Sequence, residues 1–281
     1  MKVADLDVIT SCEIDGAKIE VVSYTALRGS SDTRTAETLF FSSQAGMRLK
    51  MVRITLNNSK IRVEPGALYY MSGNLEMKAS TGGGILKGLA RKMTSGESLF
   101  VNEIEGTGTI YLEPTFGHFL LHELKSGDEG VICDKGMFYA GAGSLDIGAS
   151  MQRNLSSGLM GGEGWWQTSI TGTGVAILFS PVPVEEIDRI NINNEKVSVD
   201  GNFALMRTKG IEFKAEKSSK SWIATSVSGE GLLQTFNGTG SVWIAPTQGV
   251  YEKMATMEGL HSLAAPPGSK GTVTNMEKPK I

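Results

Sequence analysis

GESLFVNEIEGTGTIYLEP from Gly96, GEGWWQTSITGTGVAILFSP from Gly162 and GEGLLQTFNGTGSVWIAP from Gly229 are three versions of one stretch. Each opens Gly-Glu and carries a Gly-Thr-Gly triplet, at Gly106/Gly108, Gly172/Gly174 and Gly238/Gly240. The openings lie 66 and 67 residues apart, and a fixed period of this length is the sequence sign of a repeat architecture. Phe100, Asn102 and Ile104 alternate with Leu99, Val101 and Glu103, as Trp166, Thr168 and Ile170 do with Trp165, Gln167 and Ser169, which is the two-residue period of a strand. Gly-Thr-Gly then reads as a turn. Beyond it, Ile110 and Leu112, Ala176 and Leu178, and Val242 and Ile244 face one way, while Tyr111, Ile177 and Trp243 face the other. A strand apolar on both faces needs cover on both faces, which predicts a sandwich or rolled sheet packed on a neighbouring repeat or subunit. Self-association is the expected consequence.

Each stretch is preceded by a weaker companion: KIRVEPGALYYMSGNLEMKA around Glu64, GVICDKGMFYAGAGSLDIGA around Asp134 and KVSVDGNFALMRTKGIEFKA around Asp200. A β-branched run ends at an acidic residue and a small turn, an apolar run follows, and an alternating strand closes the unit, as in Leu145, Ile147 and Ala149 or Ile211, Phe213 and Ala215. The chain is therefore expected to be all-β, with a β repeat at 41–117, a second at 118–184 and a third at 185–249. Residues 1–40 form an N-terminal extension. It holds a hairpin whose Asp15-Gly16 supplies the positive φ angles of a tight turn, followed by a polar linker at Arg28 to Thr35. Residues 250–281 form a C-terminal helix or arm with a tail. Tyr251, Met254, Met257 and Leu260 permit one amphipathic helix there.

The composition narrows the function classes. Glycine takes 35 of 281 positions, about 12% against a usual 7%, which favours turns and short strands over long helices. A net charge of -3 and a pI of 5.8 leave no basic excess for a phosphate backbone, so nucleic acid is not an expected partner. Two cysteines, Cys12 and Cys133, are too few for a disulfide framework or a thiolate metal site and fit a reducing compartment. The acidic start lacks the apolar run of a signal peptide, and no stretch reaches membrane-spanning length. Cytoplasmic location is expected.

Candidate chemistry is sparse. His118 and His122 lie four apart, a metal pair on a helix, but the surrounding pattern is a strand, where i and i+4 stand roughly 13 Å apart. The run Gly82, Gly83, Gly84, Ile85, Leu86, Lys87, Gly88 lacks the Lys-Ser/Thr that completes a phosphate-binding P-loop. Together with Arg91 and Lys92, its backbone N–H groups and cations at Gly82, Gly83, Gly84 and Lys87 could still contact an anion or a membrane surface; the bland alternative is an insertion between strands. Glu97, Glu163 and Glu230 recur in register and read as strand caps or subunit pairs before they read as ligand sites. Trp165, Trp166, Trp222 and Trp243 are not interleaved with basic residues, so packing is expected of them and not base stacking. No serine, cysteine and histidine set suggests nucleophilic catalysis, and no cofactor or metal site is expected.

The Gly-Glu leads, the Gly-Thr-Gly triplets, VEPGALYYMSG and the glycine-rich run before Ser95-Gly96-Glu97 together resemble the family named for altered inheritance of mitochondria, member twenty-four, over about residues 40 to 250. The resemblance implies three repeats similar to the tryptophan RNA-binding attenuation protein, each a short double-stranded β-helix, in a pseudo-threefold, ring-forming fold. It also implies an all-β oligomer without known catalytic residues, linked in yeast to inner-membrane organisation. The expected function is a non-enzymatic, self-assembling scaffold or partner-binding protein, peripheral at a membrane, with a small-ligand or RNA-binding ring module as the alternative.

Overall fold

Asp15 and Gly16 take φ angles of +47° and +77° and close the hairpin of β1 (Leu6–Ile14) and β2 (Ala17–Tyr24), as a primed turn requires. A computed structural model describes residues 5–29, 31–81, 100–152, 165–200, 203–217 and 232–264. After the hairpin come helix α1 (Thr33–Gln44), then β3 (Lys50–Val63), β4 (Leu68–Thr81), β5 (Phe100–Leu112), β6 (His118–Leu124), β7 (Val131–Cys133), β8 (Phe138–Gln152) and β9 (Trp165–Ser180). A 3-10 turn at Val184–Glu186 leads into β10 (Asp188–Asp200), β11 (Ala204–Thr208), β12 (Glu212–Lys217) and β13 (Leu232–Ile244), and two short helices follow, α2 (Gln248–Met254) and α3 (Met257–Ala264). The fold is β-dominated. Its 13 strands link into one open sheet in which every described pairing is antiparallel.

The Gly-Thr-Gly triplets do not turn the chain. Each lies inside a long strand, β5, β9 or β13, that continues through it. Gly106, Gly172 and Gly238 hold φ at +128°, +98° and +136°, so each strand bends and continues, and β3 and β10 answer the bends of β5 and β13 with a register shift. At the bend, partner backbones come so close that no side chain fits. Gly73 sits opposite Gly108 and Gly143 opposite Gly174, and a Cβ on Gly108 or Gly174 would lie 2.3 or 2.2 Å from the carbonyl oxygen of Ser72 or Ala142. Glycine is thus required by a strand crossing. Sequence reading cannot separate the two uses of a positive φ.

The strands apolar on both faces are buried, and the cover comes from this same chain. Ala176, Ile177 and Leu178 on β9 are all 0% exposed. Ile177 packs into a core with Val52, Ile54, Phe119 and Ala140, while Ala176 and Leu178 pack into a second core with Leu124, Phe138, Leu205 and Met206. β9 is a partition between two cores. On β5, Ile110 and Leu112 join the first core, and Tyr111 packs on Val22 and Met51. Of the two covers expected, a neighbouring repeat or a subunit, these strands use the first: the N-terminal hairpin and neighbouring strands of the same chain supply the apolar contact.

Two further differences from sequence expectation are local. Asp32 is the N-cap of α1, its Oδ1 accepting from the Thr35 N–H at 2.8 Å, so a helix begins inside the stretch read as a polar linker. The C-terminal amphipathic pattern is divided between α2 and α3, with Ala255 and Thr256 between them. Among the described residues no helix is long and apolar enough to cross a membrane.

Candidate functional site

Two short ladders join the parts of the sheet. In the first, Ile61, Arg62 and Val63 of β3 pair with Ala142, Gly141 and Ala140 of β8. In the second, Val131, Ile132 and Cys133 of β7 pair with Thr208, Arg207 and Met206 of β11. A cleft opens beside each. The first, of about 490 Å³, is lined by Asp15, Asn58, Ser59, Lys60, Glu105 and Ser144, among others. The second, of about 300 Å³, includes His122, Glu123, Asp128, Glu129, Arg189 and Trp243.

The second junction holds the chain's least ordinary electrostatics. Arg207 is 2% exposed, and its Nη1 donates to Gln167 Oε1 at 2.7 Å, its Nε to the Ile211 carbonyl at 3.3 Å, while its guanidinium lies 5.1 Å from the Phe213 ring centre. Burial pulls this group down to about 10, opposed by the fields of Cys133 and Asp134. It stays charged at neutral pH. Burial lifts the Asp134 carboxyl above its usual range against hydrogen bonds from the Lys135 backbone and Gln167, and Asp134 Oδ1 has no hydrogen-bond partner. Burial also pushes the Cys133 thiol up to about 12, so it is a packing group and not a nucleophile.

In the adjoining cleft, Arg189 lies 5.0 Å from the Trp243 ring centre and donates from Nε to Ser241 Oγ at 3.1 Å, and His122 meets the same indole edge-on at 5.6 Å. Burial, then the nearby Arg189, lowers the His122 imidazole and keeps it neutral at physiological pH. The arrangement can hold an aromatic or hydrogen-bonding molecule against Trp243. Its lining sets three carboxylates, Glu123, Asp128 and Glu129, against two cations, Lys125 and Arg189, a balance that disfavours phosphate. Sequence reading found no basic residues interleaved with the tryptophans; strand pairing of β10 with β13 sets Arg189 opposite Trp243 from 54 positions away.

His118 and His122 lie on β6 opposite Ser180 and Ala176, as the strand reading required. Among the described residues no group of three or more His, Cys, Asp or Glu side chains gathers to hold a metal. Gly82, Gly83, Gly84, Lys87, Arg91 and Lys92 lie outside the described residues, as do Glu97, Glu163, Glu230 and Trp222. Sequence reading missed Arg62 and Arg207, whose signal was only a charge inside an otherwise apolar strand.

Fold and clefts define a β-sheet protein whose polar side chains are engaged mainly in joining its own strands. The family described as mitochondrial biogenesis AIM24 matches residues 41–247, and the chain belongs to that family. An uncharacterised protein of Streptococcus pyogenes is 25% identical over 217 residues, 73% of this chain and 84% of the relative. The X-ray crystal structure of a Streptococcus pyogenes protein superimposes with a TM-score of 0.52 at 24% identity, covering 70% of this chain and 88% of that one. That likeness concerns the fold alone.

Proposed function

We propose that this protein is a non-enzymatic, self-associating β-repeat scaffold, built from three tandem units of double-stranded β-helix type and acting in the cytoplasm through partners or a membrane surface. The observation that carries the reading is the exposed apolar run on β4: Tyr69, Tyr70 and Met71 are 52%, 49% and 37% exposed on a strand that pairs, among the described residues, only with β5. An uncovered edge of this length and hydrophobicity invites another chain. α2 and α3 add exposed Met254, Met257, Leu260 and Leu263 as a second docking surface for a partner or a bilayer.

Recurring geometry supports the repeat. β3 bulges at Asn58 and β10 at Asn194, with φ angles of +48° and +54°, and each asparagine N–H donates to a threonine Oγ1, of Thr107 at 2.9 Å and Thr239 at 3.0 Å. Two unpaired cysteines suit the reducing cytoplasm. Sedimentation in the micromolar range tests the scaffold: assemblies larger than one chain are expected, and a monomer at every concentration overturns it.

The cleft at Trp243 favours a second reading, a small-ligand or RNA-binding module. It predicts a raised melting temperature with an indole-type metabolite or a salt-dependent RNA shift. The excess of carboxylates in its lining and the occupied faces of Trp243 make it the weaker of the two.

A further inference from the structure

The two internal junctions share one register. Aligning the units on Glu64, Asp134 and Asp200 makes Ile61, Val131 and Val197 equivalent, and likewise Ser72, Ala142 and Thr208. Ile61 then faces Ala142 as Val131 faces Thr208, and Val63 faces Ala140 as Cys133 faces Met206. The middle pair of each ladder holds one arginine, supplied from opposite strands: Arg62 faces Gly141, and Ile132 faces Arg207. Arg62 donates to the carbonyl of Leu145 and Arg207 to that of Ile211, which are again equivalent positions. The junction is one device used twice.

One copy of each half remains unused. Tyr70, Met71 and Ser72 on β4 are the equivalents of the β8 and β11 segments, and Val197, Ser198 and Val199 on β10 are the equivalents of the β3 and β7 segments. Among the described residues β4 pairs only with β5 and β10 only with β13. In the internal junctions the corresponding side chains are buried, Ala140 at 0%, Ala142 at 1% and Met206 at 3%, whereas Tyr70 is 49% exposed. Among the described residues the two edges therefore do not cover each other within one chain, and the bare side chains are those of β4, since Val199 on β10 is 5% exposed and packs with Ile211 and Phe236.

We propose that they cover each other between chains: the β4 edge of one copy adds to the β10 edge of the next, with Ser72 opposite Val197, Met71 opposite Ser198 and Tyr70 opposite Val199. The inference rests on the repeat-scaffold reading and names its occupant, a second copy of this chain, through continuity with the two junctions already present. A contact of this kind is heterologous, so it grows head to tail into a ring or filament. Its central pair has no arginine to reach the Leu75 carbonyl, the equivalent of Leu145 and Ile211, so it is weaker than the internal ladders and depends on concentration.

That missing arginine supplies the test. Ser198→Arg copies the first junction and Met71→Arg the second, and in sedimentation velocity either alone is expected to tighten assembly about tenfold, the effect of one charge-assisted hydrogen bond. The double variant sets two cations directly opposite and is expected to weaken assembly below wild type. As a readout independent of folding losses, Met71→Cys with Ser198→Cys in a Cys12→Ser background is expected to oxidise into a ladder of multimers. Assembly indifferent to all three arginine variants overturns the inference and leaves the scaffold standing. Monomers in every variant overturn both, and a disulfide formed only within single chains overturns the inter-chain contact.

Discussion

The two internal junctions solve one problem with different chemistry. In the first, Ile61, Val63, Ala140 and Ala142 seal the ladder with apolar groups, and Arg62 lies half-exposed at its side, with Nε 3.4 Å from Glu103 Oε2. In the second, Arg207 is buried, its direct contacts are neutral, and no carboxylate lies within ion-pair distance of it among the described residues; Asp134 acts on it only through its field. An arginine at a solvent-facing edge costs little and contributes little, whereas one enclosed by strands must keep every hydrogen bond or lose much of the fold's stability. The second junction is therefore the more brittle.

The largest expected effect follows directly. Arg207→Ala removes the cation, leaves Gln167 and Asp134 facing a void and strips Phe213 of its cover, and should cost about 3 kcal/mol in urea unfolding. Arg62→Ala should cost about 1 kcal/mol, because water replaces its partners. Arg207→Met should recover more than half of the Arg207→Ala loss if packing dominates the second junction. Equal losses for Arg62→Ala and Arg207→Ala would erase the contrast between the junctions.

The crossings beside the ladders differ as well. A Cβ at Gly174 would sit 2.2 Å from the Ala142 carbonyl oxygen and 2.9 Å from the buried Leu145 side chain, which leaves it nowhere to go. Gly238 has no neighbour nearer than 3.7 Å, and only its φ of +136° opposes a side chain. Gly174→Ala should destabilise by about 2 kcal/mol or more through overpacking, and Gly238→Ala by about 1 kcal/mol through backbone strain. Thermal melts of the two variants rank them. A reversed order would mean that the positive φ at Gly238 costs more than the close approach at Gly174.

Much of this was legible beforehand, for reasons that can be located. Two-residue alternation gave the strands through Ile104 and Ile170, and Asp15-Gly16 gave the hairpin, because each signal lies within a few neighbouring residues. The capping signal of α1, Asp32 followed by Thr35, was equally local and was passed over as part of a linker. What could not be read depended on a partner strand. Gly106 and Gly172 allow a turn or a crossing alike until Asn74 and Ser144 are brought against them. Burial of Tyr111 and Ile177 required knowing that β2 and β8 cover them. The Arg62 and Arg207 device comes from non-equivalent strands, so a search for repeated residues passes over it.

Acid separates the junctions by sign, the smallest effect and the most specific. The strand that supplies the first junction, β3, pairs through its other half with β2, where burial raises the Glu20 carboxyl but hydrogen bonds from Arg53 at 2.8 Å and Lys18 at 3.0 Å outweigh it and hold the group below the usual range. A lowered carboxylate contributes its full stabilisation above the unfolded value of about 4.3 and loses it as pH falls through the folded value. Asp134, at the second junction, is raised by burial, so the folded chain binds its proton more tightly than the unfolded one. Its contribution grows as pH falls through that raised value and levels off near the unfolded value of about 3.9. Between neutral pH and about 4.5 the folded chain gains from Asp134 and loses from His118 and His122, whose lowered imidazoles take up protons more readily in the unfolded chain; set against that shared loss, the protection factors of the Ile132 and Cys133 amides should rise relative to those of Ile19 and Val21. Below about 4.3 the β2 amides should lose protection first. Asp134→Asn should abolish the upper phase and leave the lower one intact, so a rise that survives this substitution would detach the pH response from the second junction.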